Sequence, residues 1–129
     1  IQPPVRGNCM NWVLGHILMQ RNQVLALLKM EPVWDAATCL RYARDSEPIT
    51  SLAEGLPFER MLADLALTQE RIESGLQTIT AEALEEIVES NGRKDRAGGQ
   101  IAFIHWHETY HTGQLELLRQ LAGKNDKVI

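Results

Sequence analysis

HWHETYHTGQLELLRQLAG, residues 105–123, contains no proline and reads as one helix. At ~100° per residue, Ile101, Ile104, His107, His111, Leu115, Leu118 and Ala122 fall along a single stripe. The two histidines of this H-x-x-x-H pair therefore take places in the row that faces a core. Gly123 is a C-cap signal, so the helix is predicted from about Gln100 to Leu121.

Working outward, NWVLGHILMQRNQVLALLK (residues 11–29) also lacks proline and predicts a helix. Its apolar residues Trp12, Val13, Leu14, Ile17, Leu18, Val24, Leu25 and Leu28 cover more than half its circumference, which requires burial on more than one side. The preceding IQPPVRGN reads as an extended lead-in, with Asn8 or Asn11 placed to cap the helix. Pro32 ends the helix or opens the next loop. A short helix is expected over about Trp34–Arg44, then a loop, SEPITSLAEGLP, with breakers at Pro48, Gly55 and Pro57. A second long helix is predicted from about Pro57 to Thr78, striped by Phe58, Met61, Leu62, Leu65, Ile72 and Leu76, with Ile79 just beyond its end. TAEALEEIVES predicts a short helix capped by Thr80, and NGRKDRAGG a mobile surface loop. No segment alternates apolar and polar residues for long, so no strand is expected.

The chain has 129 residues, which predicts one domain spanning 1–129. Its 13 basic residues form no run that grips phosphates, and the net charge is −4, which argues against nucleic acid as a partner. Apolar stretches are broken well short of the ~20 residues that cross a bilayer. The start lacks the basic-then-apolar pattern of a signal peptide. Cys9 and Cys39 are too far apart in sequence for a C-x-x-C pair and read as free thiols, which points to the cytoplasm.

Residues four apart on a helix lie ~6 Å apart at Cβ, close enough for His107 and His111 to share one ion at ~2.1 Å per bond. The alternative is two histidines satisfied within a core or at a surface. Burial favours the metal, because few polar residues on this face could serve both rings. His16, between apolar residues of the first helix, offers a third ligand, although a lone buried histidine is more often structural. Gly15 beside it allows a backbone or ligand to approach closely. Together the three make a site that leaves a coordination position free. His105, rotated ~200° from His107, cannot join the same ion and reads with Trp106 as a packing or interface residue.

NWVLGH and HETYHTGQLELLRQLAG resemble the DinB-like superfamily, whose members pair a histidine after an Asn-Trp-like opening with a C-terminal H-x-x-x-H-x-G-Q segment. The resemblance covers nearly the whole chain. It implies an all-α, DinB/YfiT-like up-down-down-up four-helix bundle, often a homodimer. It also implies His16, His107 and His111 as ligands to one divalent metal ion, zinc, nickel or similar. Members usually carry one further helix ahead of the first histidine, where this sequence has only IQPP. The expectation is a fragment or a bundle short of that helix, with one apolar flank open to a partner chain.

A cation held by three neutral imidazoles keeps its full charge and can activate water or a thiol. One expectation, made plausible by the resemblance, is a small-molecule enzyme that activates a low-molecular-weight thiol cosubstrate such as bacillithiol or mycothiol for transfer to an electrophile. A second is hydrolysis by hydroxide generated at the metal. A third, from another class, is a stress-related metal-binding or dimerisation module without catalysis. Glu108, the nearest carboxylate in sequence, lies ~100° around the helix from His107 and reads as a solvated or interhelical residue rather than a base. Gln114 and Tyr110 flank His111 as residues that could orient a ligand or donate a hydroxyl, or simply pack.

Overall fold

The computed structural model describes residues 7–90, 92–124 and 126–127. In chain order it comprises α1 (Met10–Leu27), the short α2 (Ala36–Arg41), a 3-10 turn (Leu52–Glu54), α3 (Phe58–Thr78), the short α4 (Ala81–Glu85), β1 (Ile87–Ser90), β2 (Arg93–Arg96) and α5 (Ala97–Leu121). The chain is thus mostly helical, and three long helices carry it. None of the described helices is long and apolar enough to cross a membrane. The lead-in IQPPVR lies outside the described residues.

α1 is the central helix, with α3 and α5 packed against it on different sides. Its near-continuous apolar sequence is explained by this position. Every residue from Trp12 to Met19 is buried, and each large aliphatic side chain so buried contributes about 1.5–3 kcal/mol. The predicted cap is corrected: Cys9 holds the N-cap position and makes no side-chain cap bond. Asn11 is engaged elsewhere, its Nδ2 donating to the Leu56 carbonyl (2.8 Å) and its Oδ1 accepting from the Tyr42 hydroxyl (3.1 Å). Beyond α1, Lys29 adopts φ 58°. Asn22 Oδ1 accepts from Val33 N (2.7 Å) and Trp34 N (3.0 Å), which fixes the returning chain.

The three long helices are tied at one half-buried point. Arg21 of α1 donates from Nε and Nη2 to Glu108 of α5 (3.0 and 2.6 Å) and from Nη1 to the Leu65 carbonyl of α3 (3.2 Å). Glu108 is therefore an interhelical carboxylate. α3 keeps only part of its apolar stripe covered: Met61 is fully buried, while Phe58, Leu62 and Leu76 remain nearly half exposed. Phe58 and Leu62 line a groove of about 860 Å³ between α3 and α5, floored by Met10 and Leu14 of α1.

Two expectations are overturned between α4 and α5. Thr80 caps α4 as predicted, accepting from Ala83 N at 3.2 Å, but IVES leaves the helix. It forms an antiparallel hairpin with RKDR, pairing Ile87 with Arg96 and Ser90 with Arg93. The segment read as a mobile loop is thus half strand, and strands exist where none was expected. The ladder supplies backbone bonds that these polar side chains do not advertise, and Gly92, at φ +73°, accommodates the turn. α5 then begins at Ala97 rather than Gln100 and ends, as predicted, ahead of Gly123, at φ +80°.

Candidate metal centre

His16, placed by α1, meets His107 and His111, placed by adjacent turns of α5. One ring nitrogen from each lies within 4.8 Å of the others. His107 Nε2 and His111 Nε2 are 3.2 Å apart. Two ~2.1 Å bonds at tetrahedral or right angles place ligand nitrogens about 3.0–3.4 Å apart, so this pair already has ligand spacing. His16, whose ligand nitrogen lies within 4.8 Å of the other two, closes the third side with a movement of at most about 1.5–2 Å.

The outer nitrogens explain why the inner ones are available. His16 Nδ1 lies 2.7 Å from the Tyr42 carbonyl, which can only accept, so Nδ1 carries the hydrogen and Nε2 keeps its lone pair. His111 Nδ1 donates to Gln114 Oε1 at 2.6 Å, which fixes the same tautomer. Gln114 is itself oriented by its Nε2, which donates to the Tyr110 hydroxyl at 3.4 Å. Such outer hydrogen bonds are the usual support of metal-ligating imidazoles. Burial pulls His16 down to about 4, against the Tyr42 carbonyl that raises it, while His111 and His107 add to the fall. Burial lowers His107 as well, with His111 adding to the effect. Both rings are therefore neutral at pH 7, the form a cation requires. The donor set fits a borderline divalent ion such as zinc or nickel.

Packing holds the rings in place. Trp12, one turn before His16, stacks on it with centroids 4.9 Å apart and planes 8° from parallel. The close approach that Gly15 permits is made by Tyr42: a Cβ at this position would fall within its ring. Gly15→Ala is expected to displace Tyr42, lower stability by about 1–3 kcal/mol and loosen His16, read as a lower thermal midpoint and weaker zinc binding. Gln114→Ala is expected to weaken zinc binding roughly 10- to 100-fold with little change in fold, as measured by competition with a chromophoric chelator.

A cavity of about 480 Å³ opens on His16 and His107. Met19, Phe103 and Ile104 supply its apolar surface, and Gln20, Gln23 and Gln100 its amides. The hairpin contributes Ser90 and Arg93, the latter held over the Phe103 ring at 4.4 Å and bonded to Asp95 at 2.6 Å. No carboxylate lines it among the described residues. Glu108, turned to Arg21, does not reach the centre as a free base, and His105 is exposed away from the triad. Cys9 and Cys39 are free thiols.

The model of the DinB superfamily matches residues 1–115. The chain belongs to the DinB superfamily. No curated protein and no solved structure matches it. Membership in the DinB superfamily agrees with the helical architecture, and the histidine cluster of this DinB-superfamily chain can hold a metal ion. Several parts of the site escaped the sequence reading: the Tyr42 carbonyl, the Trp12 stack, the Arg21 clamp and the hairpin wall. Two had a trace in the sequence, because Trp12 stands four residues before His16 and Arg21 interrupts an otherwise apolar helix.

Proposed function

We propose that this chain binds one divalent metal ion through Nε2 of His16, His107 and His111 and activates a low-molecular-weight thiol for S-transfer to an electrophile. The observation that carries the reading is a cluster of three imidazoles with, among the described residues, no carboxylate lining the cavity beside it. The bound cation would supply an undiminished positive charge, lowering the pKa of a thiol brought to it. A thiol ionises near neutrality with that help alone, whereas water attacking an amide normally wants a general base. The nearest carboxylate, Glu108, accepts from Arg21 through both oxygens. Tyr42 and Gln114 hold the imidazoles deprotonated toward the cavity, and the apolar wall of Met19, Phe103 and Ile104 limits water. The free cysteines accord with a reducing, cytoplasmic setting.

The cavity also favours an open coordination position over a purely structural ion. Zinc- or nickel-loaded protein, offered bacillithiol, mycothiol or a simple thiol with an electrophilic dye, is expected to form the thioether in a thiol-dependent manner. Thiol-independent cleavage of esters or amides would support the hydrolase reading instead. Metal binding without either activity would support a non-catalytic module.

A further inference from the structure

The wall of the cavity beside the metal centre is positively charged, which thiol activation by a cation does not by itself require. The chain carries 17 acidic and 13 basic side chains, yet this wall holds Arg44 and Arg93 and, among the described residues, no aspartate or glutamate. Arg44 keeps 91% of its side chain exposed and contributes little more than a screened field. Arg93 is 43% exposed and is held from three directions. Its guanidinium lies 4.4 Å over the Phe103 ring, its Nη2 donates to Asp95 Oδ2 at 2.6 Å, and its carbonyl accepts from Nε2 of the buried Gln100 at 2.8 Å.

The hairpin explains why an arginine stands there. Ser90 and Arg93 are paired across the ladder, and directly opposed residues send their side chains to one face, so both line the cavity. Lys94, the next residue along the strand, falls on the other face. A guanidinium stacked on a ring keeps its donors in its own plane, pointing outward around the rim, so Phe103 fixes that plane without consuming a donor. Asp95 engages Nη2, and the fork has further N–H groups. The Phe103 and His107 ring centroids are 6.1 Å apart. With that distance and the 4.4 Å stack laid end to end, the guanidinium stands at most roughly 10 Å from the His107 ring. A small molecule spans such a gap within a cavity of about 480 Å³.

We propose that Arg93 is the carboxylate anchor of this cavity, and that the molecule taken up is an anion whose carboxylate pairs with Arg93 while its other end lies at the three histidines. What happens at that other end rests on the thiol-transfer reading above; the contact with Arg93 does not. A planar carboxylate matches the planar fork through parallel hydrogen bonds, and Ser90 and Gln20 supply neutral donors in the same wall. Asp95 already offsets part of the arginine's charge, which favours a singly charged carboxylate over a phosphate dianion. Either the thiol or the electrophile can carry the group, and the chemistry that recognises it is the same.

Two pairs of probes, each an acid and its amide, test the anchor on the full chain. N-acetylcysteinylglycine and its C-terminal amide, titrated into cobalt-loaded protein, are read by thiolate-to-cobalt charge-transfer absorption, without turnover. Levulinate and levulinamide, unreactive stand-ins for a carbonyl electrophile, are read by saturation-transfer NMR on metal-free protein, where the carboxylate has no cation to ligate. In at least one pair the acid is expected to bind about tenfold tighter than the amide, the low end for a charge-assisted contact because Arg93 is partly exposed. The pair that shows the preference identifies which reactant carries the carboxylate. Arg93→Gln is expected to abolish the preference, Arg93→Lys to keep part of it, and Lys94→Gln to leave it unchanged. The comparison is internal to each variant, so a hairpin merely loosened by the loss of Arg93 would weaken acid and amide alike. Equal binding of acid and amide in both pairs, or a preference that survives Arg93→Gln, would overturn the proposal. No charge-transfer band with either thiol would instead count against the thiol-transfer reading and leave the second pair to decide the anchor.

Discussion

Removing the His111 imidazole, as His111→Ala, is expected to lower zinc affinity a hundredfold to a thousandfold while the helical circular-dichroism signal persists. Structural zinc sites with four protein ligands bind with about 10–16 kcal/mol, so one ligand accounts for roughly 2.5–4 kcal/mol. The centre here offers three, and His111 stands at its middle, 3.2 Å from His107 through Nε2 and held by Gln114 through Nδ1. Its loss leaves two imidazoles on different helices with no shared geometry. The fold rests mainly on the apolar contacts of α1, so the helices are expected to survive. His105→Ala serves as the control, since its exposed ring points away from the triad and zinc affinity should not change. Competition titration against a chromophoric chelator reads both variants. If His111→Ala bound zinc as tightly as the unaltered chain, the triad would not be the site. A linked effect is expected in the melting curve: zinc at a hundred times its dissociation constant stabilises the unaltered chain by about 2.7 kcal/mol and the variant by far less.

Periodicity carried most of the architecture. α1, α3 and α5 each lie within a few residues of their predicted bounds, because long runs without proline and with one or more apolar faces leave few other solutions. The triad was legible for the same reason, since a fixed spacing on one helix and a lone buried histidine on another restrict where the rings can point. What failed was short and polar. The hairpin pairs IVES with RKDR, sequences whose side chains look like a solvated helix end and a loop. Its stability comes from a backbone ladder and from packing on α5, neither of which shows in hydrophobic alternation. The Asn-Gly dipeptide at residues 91–92 was the available signal. The Tyr42 carbonyl was illegible in a different sense. A carbonyl belongs to every residue, and only the tertiary fold decides which one a histidine meets. Gly15 announced a close approach without naming Tyr42 as the group that makes it.

Acid is expected to destabilise the metal-free chain across a window set by His16, before its carboxylates titrate. Burial holds the folded-state pKa of His16 at about 4, whereas the unfolded chain takes up the proton near 6.5. Between these values the unfolded state binds more protons than the folded one, so stability rises with pH. The contribution is complete above about 6.5 and lost as pH falls toward about 4. At about 1.4 kcal/mol per pH unit, it amounts to about 3 kcal/mol, a large share of a small domain's stability. His107, also lowered by burial, acts in the same direction. The depressed carboxylates Asp35, Asp95 and Glu54 destabilise only on further acidification, because their unfolded values already lie at 3.8 to 4.5. Urea unfolding from pH 7 to pH 4 is therefore expected to show a falling midpoint that His16→Gln flattens. In the intact chain, an NMR titration of the His16 ring should give a midpoint near 4. A midpoint near 6.5 would mean that the ring is open to solvent, and the tautomer that presents its Nε2 to a cation would no longer be fixed by the fold.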